Sequence, residues 1–312
     1  MQKRVIYYPQ RKQNQRKRRE LHQANGSSKR KMKKVISLVL AAVLALSLVL
    51  IFASCSTSST KVKVIDIPLT VEEYGFGINK SNIDLVQKIN AYLSEIKTNG
   101  KFDEILNKYF GDGTPTPVTS AKPDSSKDQL VVATNAAFAP FEYTDGDKYL
   151  GVDMELMAGF ASYLGKELVI SNMKFEAVCT SVQQGDADIA ASGLTINDAR
   201  KEIISFSNAY YNAAQMIIVP ASNTTFDACK TTADVEAILT KMTTSTKCGV
   251  QTGTTGQYYA KGDEDWGFDG YGFTTVGYDN AALAVQSLIN GNLDFVIVDE
   301  APAKSITASY NK

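Results

Sequence analysis

From residue 129 onward, short apolar runs alternate with stretches in which apolar residues recur every three or four positions. The runs predict strands over 130–134, 168–171, 189–191, 215–219, 249–251 and 295–298. The intervening stretches predict helices over 153–164, 176–184, 232–241 and 280–289, and Gly165 and Gly185 sit where a glycine closes a helix. Strands and helices alternating in this way imply an α/β fold, with helices packed on largely parallel sheets.

An earlier block, 61–110, has helix signals of its own. Ile83, Val86, Ile89, Leu93 and Ile96 follow a helical spacing that Gly100 ends, and a shorter helix runs on to Phe110. Between the blocks, residues 111–128 contain three prolines and almost nothing apolar, which reads as a linker. Within the block 129–312 one pattern occurs twice. A helix ending Val182-Gln183-Gln184-Gly185-Asp186-Ala187-Asp188 leads into a strand, and Leu288-Ile289-Asn290-Gly291-Asn292-Leu293-Asp294 does the same. Two lobes of similar plan account for the repeat. Ligands of such sheets bind beyond the carboxyl ends of the strands, so Ser192-Gly193-Leu194-Thr195 and Asp299-Glu300 become site candidates from topology.

Charge separates the amino-terminal region from the rest. Residues 1–34 hold 13 Lys and Arg against one acid, Glu20, leaving 20 basic and 32 acidic residues downstream and a net charge of −12 there. An acidic body excludes nucleic acid as a partner, because phosphate binding needs a basic surface. From Val35 to Ala53 run 19 uncharged residues, preceded by Lys31, Lys33 and Lys34 and followed by Ser54 and Cys55, the layout of an export signal over 32–55. Residues 1–31 are then a disordered basic tail or a misassigned start. Phe52-Ala53-Ser54-Cys55 resembles a lipobox, with Cys55 as the lipidated residue, and an uncleaved anchor helix is the alternative. Both place the body outside the cytoplasmic membrane. Beyond Cys55 the cysteines are Cys179, Cys229 and Cys248, and His22 is the one histidine. No zinc site is expected, and pairing of Cys229 with Cys248 stays open on spacing alone.

Downstream of the tail, Arg200 is the sole arginine; every other cation is lysine. A planar guanidinium binds a carboxylate through two parallel hydrogen bonds, while the plainer alternative is a surface pair with Asp198 or Glu202. Thr195 and the backbone of 194–197 lie close by in sequence. Asp299 ends the apolar run 295–298 and can meet an ammonium group, or can cap the helix that follows. Asn135 and Phe138 follow the first predicted strand of this block and Phe175 the second, so both rings are candidates for gripping the aliphatic part of a ligand.

Several segments, in order, resemble the polar amino-acid family of extracellular solute-binding proteins of ABC importers. They are Thr134-Asn135-Ala136-Ala137-Phe138-Ala139-Pro140-Phe141-Glu142-Tyr143, Gly151-Val152-Asp153, Ser192-Gly193-Leu194-Thr195 with Arg200, Phe206-Ser207-Asn208-Ala209-Tyr210-Tyr211, and Gly253-Thr254-Thr255-Gly256. The resemblance implies a type II periplasmic-binding-protein fold, two lobes on a two-strand hinge that close on a ligand. It assigns the ligand's α-carboxylate to Arg200 with Thr195, its ammonium to Asp299, the aromatic contacts to Phe138 and Phe175, backbone positions to Ser192 and Gly193, and a second-lobe loop to Gln251, Thr254 and Thr255. Asn135 stands where some members have aspartate and Gln251 where some have lysine, leaving the amino acid open. Val62-Lys63-Val64-Ile65-Asp66, Tyr74-Gly75-Phe76-Gly77-Ile78-Asn79-Lys80 and 101–110 resemble the end of the family's sequence. The order is therefore circularly permuted, with 61–110 as the displaced terminal segment and 111–128, about 23 Å in root-mean-square span if flexible, rejoining it to 129–312. One lobe is expected from residues near 74–210, the other from 212–312 with 61–70, and the hinge near 210–214 and 71–75.

The resemblance further implies a monomer that takes a free amino acid, hands it to an importer permease, and is held at the membrane by lipid or by its amino-terminal helix. No cofactor is implied, and Gly253-Thr254-Thr255-Gly256 lacks the Lys-Ser/Thr ending of a phosphate loop. A lyase or dehydratase on the same fold and a non-functional gene-fusion remnant are the alternatives. The lack of histidine in the body counts against the enzyme.

Overall fold

A computed structural model of the protein describes residues 61–312. The tail, the export segment with Cys55 and the tether after it lie outside the described residues. The strands are β1 (Val62–Ile65), β2 (Glu72–Tyr74), β3 (Gly77–Asn79), β4 (Gln129–Thr134), β5 (Ala137–Phe138), β6 (Glu142–Asp145), β7 (Lys148–Leu150), β8 (Glu167–Asn172), β9 (Ile189–Ala190), β10 (Ile204–Phe206), β11 (Tyr211–Ala213), β12 (Gln215–Pro220), β13 (Lys247–Gln251), β14 (Thr274–Tyr278) and β15 (Phe295–Asp299). The helices are α1 (Ile83–Thr98), α2 (Lys101–Phe110), α3 (Val152–Leu164), α4 (Phe175–Gln184), α5 (Asp198–Lys201), α6 (Thr232–Leu239), α7 (Thr255–Lys261), α8 (Ala281–Ile289) and α9 (Glu300–Tyr310).

Two five-stranded sheets organise the chain. The first lobe has the order β10-β3-β9-β4-β8 and the second β1-β12-β15-β13-β14. Between them β2 and β11 form a two-stranded antiparallel ladder, Tyr74 opposite Tyr211 and Glu72 opposite Ala213. The repeated helix–glycine–strand pattern falls at equivalent places: α4 and Gly185 lead to β9 in one lobe, α8 and Gly291 to β15 in the other. Both glycines have positive φ, where a side chain is disfavoured. β9 and β15 each lie parallel to one neighbour, β4 and β13, and antiparallel to the other, β3 and β12. The run Phe295–Asp299 is buried throughout because α8 and α9 meet the second sheet on one face and α7 on the other, the reason such a strand is apolar on both sides. Ala284, Leu288 and Val296 pack in the larger core, and Leu239, Tyr259 and Ile297 in a second one.

Residues 61–110 are integral to both lobes. β1 pairs with β12, Val62 opposite Pro220 and Ile65 opposite Ile217, while β3 joins β9 to β10 in the first sheet. Ile89, Leu93 and Ile96 of α1 are buried in the same core as Met157 and Phe160 of α3. The start of β1 also meets the end of α9: the Lys61 amide donates to Asn311 Oδ1 at 2.8 Å, and Asn311 Nδ2 to the Val62 carbonyl at 2.8 Å. Segment 111–128 is laid against the first lobe. Val118 is buried and exchanges backbone bonds of 2.8 and 3.0 Å with Tyr149, and the Ala121 amide donates to the Leu168 carbonyl at 2.8 Å. Its single valine and its backbone amides dock it, so the flexible-chain span does not describe it.

The Cys229–Cys248 pairing left open by spacing is not made; Cys179, Cys229 and Cys248 are free thiols. Cys248 is sealed within β13, and burial pushes its thiol well up from the ordinary range. Cys229 lies in the loop before α6.

Candidate functional site

The lobes meet at the carboxyl ends of their strands. There Phe138, Phe175, Gly193, Thr195 and Arg200 of the first lobe and Gln251, Thr254, Thr255 and Asp299 of the second line one small, nearly filled cavity of about 10 Å³. All nine are residues singled out in the sequence. Ser192 and Asn135 stand just behind this wall: Ser192 Oγ donates to Glu142 Oε1 at 3.0 Å and accepts from the Asn135 amide at 3.0 Å.

Arg200 sits on α5, whose N-cap Asn197 accepts the Arg200 amide at 2.8 Å. Its side chain forms neither of the surface pairs that sequence proximity allowed. Nη1 donates to the Thr195 carbonyl at 2.8 Å, and Nη2 reaches the Gly253 carbonyl of the opposite lobe at 3.4 Å. A guanidinium has five N–H donors, so donors remain for a carboxylate. Arg200 is 6% exposed, and desolvation lowers its pKa from the ordinary value. No carboxylate is within ion-pair distance of its guanidinium among the described residues, although Glu72 and Asp299 favour its charge from further off. A buried cation of this kind costs stability until a counter-ion reaches it.

Asp299 is the N-cap residue of α9 by position, but its side chain makes no capping bond. The carboxylate is turned to the cleft instead, where Oδ1 accepts the Tyr74 hydroxyl at 2.5 Å. Burial pushes its carboxyl up to about 7, the neighbouring Glu72 carboxylate adds to the rise, and hydrogen bonds from Tyr74 and Gln215 oppose it. Behind it lie two more buried acids. Burial, chiefly, holds Glu142 well above the usual carboxylate range, and Asp153 is pushed up to about 7. Asp153 is bound by the Tyr210 hydroxyl at 2.6 Å and the Gly193 amide at 2.9 Å. The cavity therefore presents a cation on one lobe and an acid with a raised pKa on the other.

Thr195 is more constrained than sequence suggested. Its hydroxyl donates to Glu72 Oε2 at 2.7 Å and accepts from Thr255 Oγ1, across the cleft, at 3.2 Å. Gln251 Nε2 crosses to Asn135 Oδ1 at 3.0 Å, while Gln251 Oε1 is buried without a partner. The Asn135 amide group is anchored to the Met173 carbonyl at 2.7 Å. At the rim Lys174 pairs with Asp279 at 3.0 Å.

Three residues of the site escaped the sequence reading. Tyr74 and Glu72 lie on the hinge strand β2, more than 120 residues from the groups they bind; Trp266 follows α7 in a short 3-10 turn, Glu264–Trp266. The chain's single tryptophan was a legible signal, whereas an alternating Glu-Glu-Tyr strand carries none. A roomier depression on the first lobe, lined by Tyr92, Lys101, Glu155 and Leu168 among others, has no comparable unpaired charge. Glu155 is already bound by Lys108, Tyr109 and the Thr116 amide at 2.7–2.8 Å. Among the described residues no group of three or more His, Cys, Asp or Glu could hold a metal ion, and no helix is long and apolar enough to cross a membrane.

Two lobes on a two-strand hinge, closing over a cation on one side and an acid on the other, define a periplasmic-type binding protein of the type II fold. Residues 130–269 match the family model of bacterial extracellular solute-binding proteins, family 3, and the chain belongs to that family. It is 36% identical over 95 residues to the arginine-binding extracellular protein ArtP of Bacillus subtilis, covering 30% of this chain and 37% of that protein. It is 32% identical over 182 residues to a probable histidine-binding protein of Neisseria gonorrhoeae, 58% of this chain and 61% of the relative. The chain thus spans less than two thirds of the length of these curated relatives. Among solved structures, an ancestral arginine-binding protein bound to arginine is similar at a TM-score of 0.50 and 30% identity, over 59% of this chain and 75% of that one.

Proposed function

We propose that the protein captures a free amino acid between its lobes outside the cytoplasm and presents it to an ABC importer permease, without chemical conversion. The observation that carries the reading is the buried Arg200 and Asp299 facing one cavity from opposite lobes. An α-carboxylate would take the donors that Arg200 has left, and an α-ammonium would convert Asp299 to its charged form, so a zwitterion answers both costs at once. Phe138 and Phe175 supply apolar walls for the side chain, and Gln251 Oε1 is a buried acceptor for a donor on it. Thr195 acts in this reading by holding the Arg200 side chain through its carbonyl and tying the hinge through Glu72. Cys55, as a lipid attachment point, or an uncleaved helix over 35–53 would keep the body on the outer face of the membrane, with the protein working as a monomer.

The chain order is part of the proposal. Residues 61–110 supply β1, the hinge strand β2 and β3 to sheets otherwise built from 129–312, and Lys61 adjoins Asn311. Both features support a circular permutation in which the present ends of the body were once joined, with 111–128 as the connection across the former termini.

Thermal unfolding of the purified protein against the twenty amino acids and cystine, each in millimolar excess, tests the function. A ligand of micromolar affinity stands about a thousandfold above its dissociation constant and stabilises by about 4 kcal/mol. Mass spectrometry should recover that ligand unchanged, and Arg200→Lys should weaken binding about ten- to a hundredfold by losing the bidentate fork. No shift with any amino acid, or conversion of the ligand, would overturn the reading.

A further inference from the structure

Trp266 ends the 3-10 turn that follows α7 in the second lobe. The turn is pinned at its base by backbone bonds between Asp263 and Phe268 of 2.8 and 3.1 Å, and Gly267 has the positive φ that lets the chain reverse there. The indole stacks on Tyr258 of the same lobe, ring centroids 4.1 Å apart. Across the cleft, the Arg200 guanidinium carbon stands 4.9 Å from the centre of the Trp266 ring and 5.4 Å from that of Phe175. Arg200 is therefore met by an aromatic face from each lobe. Trp266 also borders a depression that shares Thr195 and Thr255 with the cavity.

We infer that Trp266 is a ligand-affinity residue that acts on Arg200 from the opposite lobe, and only when the lobes are closed. The inference rests on the amino-acid-binding reading above. A cation–π contact draws on the charge of the guanidinium and uses no hydrogen-bond donor, so the N–H groups that Arg200 has left stay available to a carboxylate. Indole is the strongest of the aromatic partners for a cation, and the attraction grows as water is removed, which fits an arginine this deeply buried. Tyr258 backs the indole so that the ring is held in place. Because one partner belongs to each lobe, opening the cleft breaks the contact, and its loss should appear in dissociation rather than in encounter.

The test uses the full-length protein and the standard amino acids with cystine, tried one at a time. Trp266 is the chain's only tryptophan, so its emission reports this site alone. Any amino acid that raises the melting temperature should change tryptophan emission saturably, with the same midpoint. Trp266→Ala should weaken that amino acid's binding about five- to thirtyfold, carried by faster dissociation with association within about twofold, and Trp266→Phe should recover most of the loss. Should Trp266→Ala fail to fold, the emission change in the unaltered protein and the dissociation rate of Trp266→Phe, between unaltered and Ala-like, decide the matter. A ligand that stabilises the protein yet leaves emission unchanged, or is released from Trp266→Ala at the unaltered rate, overturns the role of Trp266 while the binding reading stands. Absence of both thermal and emission responses to every amino acid overturns the binding reading itself.

Discussion

At pH 6, amino-acid binding should expel a proton from Asp299. Its carboxyl is pushed up to about 7 because the closed cleft strips water from it and sets Glu72 nearby. The folded, closed protein holds this proton more tightly than the unfolded chain does, so the stability of the closed form falls as pH rises from about 4 to about 7 and levels off above. An α-ammonium beside Asp299 offsets the cost of burial by charge attraction and brings the pKa back toward the ordinary range. A carboxyl raised this far is mostly protonated at pH 6, so binding should release up to about one proton there and almost none at pH 8.5, with affinity rising by at most about tenfold per pH unit across the titration. Calorimetry in two buffers of different ionisation heat measures the number released. Asp153 is also pushed up to about 7, but it is bonded behind Gly193 and away from the cavity; the difference between the unaltered protein and Asp299→Asn isolates Asp299. Equal release at pH 6 and 8.5, or none at pH 6, would refute the argument.

Two further outcomes bear on the framework. Gly151→Ala should destabilise by about 3 kcal/mol or more in urea unfolding, since Gly151 has φ +127° and a Cβ there would lie 1.9 Å from the Phe141 carbonyl oxygen; Gly165→Ala, with φ +71° and open space around it, should cost only about 1 kcal/mol. Reordering the chain so that 129–312 is followed by a few Gly-Ser residues and then 61–110 should give a folded protein with the same amino-acid profile, read by circular dichroism and thermal shift. Failure of that order to fold, where the natural order folds, would count against the permutation.

The α/β alternation of 129–312 was legible because strands buried on both faces and amphipathic helices leave opposite periodicities in the chain. The observed β4, β8, β12 and β15 and helices α3, α4, α6 and α8 fall within a few residues of the expected ranges. Elements that packing alone stabilises left no such trace. The meander β5–β7 and the half-exposed β14 are examples, and α7 is too short to show a period. Arg200 and Asp299 were legible for another reason: Arg200 is solitary in the body and Asp299 ends an apolar run, both costly unless used, whereas Gln251, Thr254 and Thr255 were picked out through the family resemblance alone.

The chain's own patterns thus carry the class of fold and the two-lobe plan, and they single out Arg200 and Asp299 as residues in need of a use. Which groups hold these residues in place is set by contacts distant in the chain. Tyr74 reaches Asp299 across 225 positions, Glu72 reaches Thr195 across 123, and Trp266 meets Arg200 from the other lobe. Local patterns record what a residue needs from its neighbours in the chain. Partners brought together by hinge topology and lobe closure are chosen in space, and the chain carries no periodicity that marks them.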